Sequence, residues 1–238
     1  MKLDILAIGV HPDDVELSCA GTVLKHIQQG KTCGVLDLTK GELGTRGSAK
    51  LRMEEANDAA AILGVQLRDN LGFKDGFFVN DEEHQKLIIE KIRLYQPEIV
   101  LCNALKDRHP DHGRAGKLVA DACFYSGLAK VETTVNGIQQ NAWRPKAVYH
   151  YVQDQYIQPD FVVDVTDFVD TKMKAINAFR SQFYNPDSQE PESPITSESF
   201  LHQVKGKMRV FGRDINADFA EAFNVNRTIG VDNLFDIK

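Results

Sequence analysis

No two cysteines of this chain stand in a C-x-x-C pair. Cys19, Cys33, Cys102 and Cys123 are scattered, each inside an apolar segment. A thiolate zinc knot and a disulfide framework are therefore not expected, and buried free thiols in a reducing cytoplasm are. Long hydrophobic runs are missing as well. The first apolar stretch, residues 3–10, is too short to span a bilayer. It carries Asp4 and runs into His11-Pro12-Asp13-Asp14, unlike the cleavage region of a signal peptide. Positive charge is in deficit, with 28 Lys and Arg against 34 Asp and Glu. That balance excludes a general nucleic-acid or anionic-membrane surface, though not a local basic pocket. No Gly/Ser or Pro-rich linker divides the chain and no internal repeat is visible. The 238 residues, 42% of them hydrophobic, are thus expected to form one domain, 1–238. Nucleotide-binding signatures are absent too: Gly9 opens no G-x-G-x-x-G, and the glycine-rich stretch 41–47 lacks the lysine of a P-loop.

What is present is an alternation of strand-like and helix-like segments over the first 125 residues. Strands are predicted at 3–10, 31–38, 65–71 and 97–102. Helices are predicted at 15–29, from Ser48 through Leu63, at 81–95 and at 113–125. The strands are apolar with little period-2 pattern, which argues for a parallel sheet covered on both faces. Right-handed crossovers make this a doubly wound, Rossmann-like α/β fold, and in the order 3-2-1-4 the first and fourth strands are neighbours. The remainder is less regular. It has strands expected at 147–151 and 161–165, helices at 168–183 and 199–211, and a polar loop or lid at 185–199 containing Pro186, Pro191 and Pro194.

Two polar clusters follow the first and fourth strands: His11-Pro12-Asp13-Asp14 and His109-Pro110-Asp111-His112. Ligands bind at carboxyl strand ends beside such a switch point. A catalytic metal site commonly takes three protein ligands and keeps one open position, and His11, Asp14 and His112 would supply the three. Adjacent aspartates point in different directions, which leaves Asp13 as a general base. His109 is then an acid or oxyanion stabiliser, with the Asp111 carboxylate fixing its tautomer and raising its pKa. This suits hydrolysis of an amide or ester. Two other readings stay open: a phosphoesterase, which commonly wants two metals, and a non-enzymatic metal-binding α/β module. An Asp-Asp pair before a helix is also an ordinary cap. Arg46 and Arg52 are the notable cations near these strand ends. Arg52 is placed to reach sugar hydroxyls or a carboxylate, or to pair with Glu55 or Glu16.

The stretch Gly9-Val10-His11-Pro12-Asp13-Asp14-Val15-Glu16, taken with His109-Pro110-Asp111-His112, resembles the LmbE/PIG-L family of zinc-dependent N-acetylglucosaminyl deacetylases. The likeness extends through 41–47 and through Arg52-Met53-Glu54-Glu55-Ala56, and within the family it is greatest to the Bacillus-type bacillithiol biosynthesis deacetylases. Val10 departs from the alanine that the family often has there. The resemblance implies Zn2+ on His11, Asp14 and His112, Asp13 as the base, His109 assisting the tetrahedral intermediate, and Arg52 contacting substrate. It further implies removal of acetyl from N-acetylglucosaminyl-malate, a small-molecule amino-sugar conjugate, by a homo-oligomer, a hexamer among its forms.

Overall fold

The computed structural model of the protein describes residues 1–237. Its centre is a seven-stranded sheet. In chain order the strands are β1 (Ile5–Gly9), β2 (Cys33–Thr39), β3 (Leu67–Phe73), β4 (Ile99–Cys102), then, after a small hairpin of β5 (Thr134–Val135) and β6 (Ile138–Gln139), β7 (Ala147–Tyr151), β8 (Phe161–Asp164) and β9 (Ala220–Val225). The spatial order is β3-β2-β1-β4-β7-β9-β8, and the first five of these strands pair in parallel. This is the doubly wound α/β fold expected, with the 3-2-1-4 order and β1 beside β4. The main helices are α1 (Asp14–Ser18), α2 (Ala20–Gln28), α3 (Ala49–Leu63), α4 (Glu82–Tyr95), α5 (Pro110–Tyr125), α6 (Val169–Asn177) and α7 (Glu198–Arg213).

Side-chain alternation along the strands builds a core on each face. Leu6 and Ile8 of β1 join Leu36 of β2, Ile88 and Ile92 of α4 and Leu118 of α5 on one side. Ile5 and Ala7 meet Val15, Val23 and Val35 on the other. All five residues of β1 and all seven of β2 are buried, as a sheet covered on both faces requires. A third cluster packs Ala56 and Ala59 of α3 against Met173 and Ile176 of α6 and Val204 and Met208 of α7.

Several boundaries differ from the sequence reading for identifiable reasons. The single helix expected at 15–29 breaks at Cys19, whose φ of −138° is not helical. The second half has its own cap from far along the chain: Glu221 on β9 accepts from the backbone N–H of Gly21 at 2.9 Å and Thr22 at 2.6 Å. The same carboxylate pairs with the buried Lys172 at 2.6 Å. The helix expected from residue 113 begins at Pro110, because proline is well suited to the first helical position and His109 caps it. The helix expected at 168–183 starts at Val169 and stops at Asn177, beyond which the backbone closes short turns, Phe179 N–H on the Ile176 carbonyl and Gln182 N–H on the Phe179 carbonyl. The antiparallel strand β9 and the hairpin had no counterpart in the periodicity. The stretch 185–199 is irregular, as expected, until α7 begins at Glu198. The four cysteines are buried and free.

Candidate metal centre and active site

The chain leaves β1 at Gly9, turns through His11 and Pro12, and enters α1 at Asp14. Asp14 folds back so that its Oδ2 accepts from the His11 backbone N–H at 2.9 Å. Asp13 makes no side-chain cap bond and sits at φ 131°, a conformation rare for a non-glycine residue. Held strain of this kind clusters at functional sites. It turns the two neighbouring carboxylates apart.

The two clusters converge. His112, in the first turn of α5, brings its Nε2 to 3.2 Å from Asp14 Oδ1, and His11 Nδ1 lies 3.8 Å from Asp14 Oδ2. The ligand atoms of His11, Asp14 and His112 all lie within 4.8 Å of one another, and all three residues are buried. Two bonds of about 2.1 Å at a tetrahedral angle put donor atoms roughly 3.4 Å apart. A nitrogen-nitrogen-oxygen set at these separations fits a single borderline divalent ion such as zinc. His11, His109 and Asp111 form a second, overlapping group through the shared His11.

His11 and His112 are each also held from behind by a carboxylate that sequence reasoning missed. His11 Nε2 meets Asp75 Oδ1 at 3.0 Å, and His112 Nδ1 bonds Asp107. Such partners fix the ring orientation and tautomer of a ligating histidine. Asp14 is clasped instead by amides, from Asn103 at 2.9 Å and Gln153 at 3.1 Å. Asp107 stands two residues before His109, so its place in the motif was visible though its partner was not. Asp75 lies in the turn after β3, and nothing local marks it.

Electrostatics follow from this packing. Burial works against a charged His11, yet hydrogen bonds to Asp111 and Asp75 and the charge of Asp14 raise it to about 10. Burial likewise opposes a charged His112, which Asp14 and Asp107 hold up at about 9. Burial pushes Asp14 upward, but His112 and His11 outweigh it and keep that carboxyl well below its usual range. Asp13 goes the other way, to about 6, because burial outweighs Arg52. Two neighbouring carboxyls are thus separated in role by their surroundings.

Two expectations need correcting. The Asp111 carboxylate does not bond His109. It accepts from Gly76 N–H and from Arg114, each at 3.0 Å, and approaches His11 Nε2 at 3.6 Å. His109 is instead fixed through its Nδ1, which accepts from the backbone N–H of Asp111 at 3.3 Å. That leaves Nε2 to carry the proton of the neutral ring. Burial, with the charges of His11 and His112, lowers the His109 pKa rather than raising it as expected. Arg52 pairs with neither Glu55 nor Glu16. Its Nη2 lies 2.5 Å from Asp13 Oδ2, Nε donates to the Pro12 carbonyl at 3.1 Å and Nη1 to the Gly41 carbonyl at 3.4 Å. Glu55 bonds Ser181 and Glu16 bonds Arg68.

These groups open into a cavity of about 490 Å3, within the usual range for small-molecule sites. Its rim is formed by the loop 41–47 and by Ser193, Pro194 and Ile195. Arg46 joins the two walls by donating to the carbonyls of Pro191 and Glu190, while Gly47 N–H donates to Glu190. Two aromatics near the later strands are spent on packing: Tyr151 is buried with its hydroxyl on the Ile8 carbonyl, and Trp143 donates to the Pro97 carbonyl.

Residues 6–123 match the family model PIG-L: GlcNAc-PI de-N-acetylase. A diacetylchitobiose deacetylase of Thermococcus kodakarensis is 30% identical over 191 residues, covering 75% of this chain and 70% of that protein. A protein described as probable N-acetyl-alpha-D-glucosaminyl L-malate deacetylase 2, from Bacillus anthracis, is 26% identical over 195 residues, covering 75% and 81%. The likeness to the malate-conjugate enzymes is therefore no greater than that to the chitobiose enzyme. Among solved structures, the conserved protein TT1542 of Thermus thermophilus superposes with a TM-score of 0.85 at 31% identity, over 96% of this chain and 97% of that one.

Proposed function

This chain belongs to the PIG-L family, and on that footing we propose that it is a zinc-dependent hydrolase of an N-acetylglucosamine conjugate. The products are acetate and the free amine. One observation carries the reading: His11, Asp14 and His112 converge at metal-ligand separations while Asp13, turned away by its backbone, faces the same cavity. A divalent ion on those three residues supplies Lewis acidity toward a carbonyl and toward water.

The chain's own groups do the rest. Asp13 takes the proton of the attacking water, whose oxygen adds to the acetyl carbon. Arg52 holds Asp13 in place from behind, so we assign it a positioning role at the base. The Nε2–H of neutral His109 donates to the oxygen that gains negative charge as the carbonyl opens. The proton taken by Asp13 passes to the sugar nitrogen and the C–N bond breaks. Asp111 acts through His11 and through the backbone bond that sets the His109 ring.

The natural substrate we propose is the malate conjugate of bacillithiol synthesis, handled in the cytoplasm by a homo-oligomer whose protomer is one domain. No described helix is long and apolar enough to cross a membrane. Acetate release should be measured on zinc-loaded protein with N-acetylglucosaminyl-malate, diacetylchitobiose and free N-acetylglucosamine, with and without chelator. Chelator-sensitive release, fastest on the malate conjugate, is expected. Preference for diacetylchitobiose would move the assignment to the other branch, and release from none would end it.

A further inference from the structure

Among the described residues the cavity wall contains four arginine and lysine side chains, and they are not equally engaged. Arg52 faces Asp13 and Arg108 faces Asp154, each in an ion pair. Arg46 is directed at the carbonyls of Pro191 and Glu190. Lys207, on α7, donates to the Gln153 carbonyl. An ammonium has three donors, so two remain. Among the described residues no carboxylate lies within 4.0 Å of the Lys207 nitrogen. The acids that act on it from nearby are already taken, Asp154 by Arg108 and Asp107 by His112 and the Gln155 N–H.

Position narrows what these donors serve. Lys207 holds the backbone of Gln153, and the side chain of Gln153 holds the metal ligand Asp14. One residue therefore separates the ammonium from the centre where the amide is cut. In a glucosamine conjugate the aglycone is attached to C1, next to the carbon bearing the amide. A negative group on a small aglycone is thus within reach of Lys207 when the amide is at the metal end.

We propose that Lys207 is the specificity-determining residue that receives an anionic group, a carboxylate in chemical class, on the aglycone of the substrate. This rests on the amino-sugar reading above and extends it to the part of the molecule that is not cleaved. Burial pushes the ammonium down to about 8, which still leaves it charged at neutral pH.

The probes are two glycosides of N-acetylglucosamine differing by one charge, the neutral methyl and the anionic carboxymethyl glycoside. Values of kcat/KM are measured for both on zinc-loaded wild type, Lys207→Met and Lys207→Arg. Wild type is expected to favour the carboxymethyl glycoside by roughly 10–100-fold, mainly through KM. That ratio should fall towards one in Lys207→Met and survive in part in Lys207→Arg. Higher ionic strength should erode it in wild type, a reading that needs no variant. A wild-type ratio near one, or an unchanged ratio in Lys207→Met, overturns the assignment. Calorimetry with the corresponding deacetylated glucosaminides keeps the two claims apart. Binding that depends on the carboxylate and on Lys207, without acetate release from either glycoside, would sink the deacetylase reading and support the anion site. Acetate release with charge-blind binding would do the reverse.

Discussion

Asp13 and Asp14 are adjacent in the chain and opposite in surroundings. Asp14 is ringed by imidazoles and amides, whereas Asp13 is held by the Arg52 guanidinium and lines the cavity. Replacing Asp13 by Asn should lower kcat by roughly 10²–10⁴ while bound zinc, measured by metal analysis, stays near one per chain. Loss of zinc in that variant would mean that the two aspartates have exchanged roles. Asp107 tests the support behind the ligands. Asp107→Asn frees one face of His112 and should weaken zinc binding by roughly 10–100-fold, read by competition with a chromophoric chelator. Turnover at saturating zinc should fall much less than in Asp13→Asn. An unchanged affinity would reduce Asp107 to a packing partner.

The elements that carry these residues were unequally legible. β1, β2 and β4 announced themselves as apolar runs, and the helix expected from Ser48 through Leu63 is α3, with Ser48 as its cap. The polar clusters after β1 and β4 pointed to the candidate site because the switch point brings those two strand ends together. What could not be read were contacts made across the sheet: Glu221 capping α2 from 200 residues away, Asp75 behind His11, and Arg52 on Asp13. Each joins residues far apart in the chain, and no local pattern tells which partner a given side chain will meet. The loop 41–47 illustrates the point. Gly41 has φ +63°, and a Cβ built on it runs into the Arg52 guanidinium, so this glycine makes room for the arginine that holds Asp13, the proposed base. Gly41→Ala should therefore lower kcat by roughly 10–100-fold without loss of zinc. Activity retained at the wild-type level would show that the loop yields and the arginine does not.

For the molecule as a whole, a receptive cavity opposes stability. Lys207 has a folded-state pKa of about 8 against an ordinary value of 10.5, because burial disfavours its charge. Between those values the unfolded chain binds more protons than the folded one, so stability from this group rises with pH across that window. The penalty grows as pH falls from 10.5 and is complete below 8. Lys207→Met should accordingly melt higher than wild type at neutral pH, with the gap narrowing as pH rises through that window in calorimetric scans. A gap that does not change with pH would trace the gain to packing alone. The sheet has a further consequence, and it concerns synthesis. β9 lies between β7 and β8, although it is made last of the three. On the ribosome, β8 emerges with no strand to pair with and β7 with one side bare, until Ala220–Val225 arrive to fill the gap. A chain interrupted before Ala220 would carry an open ladder into the cell, and that exposed edge is where it would begin to aggregate.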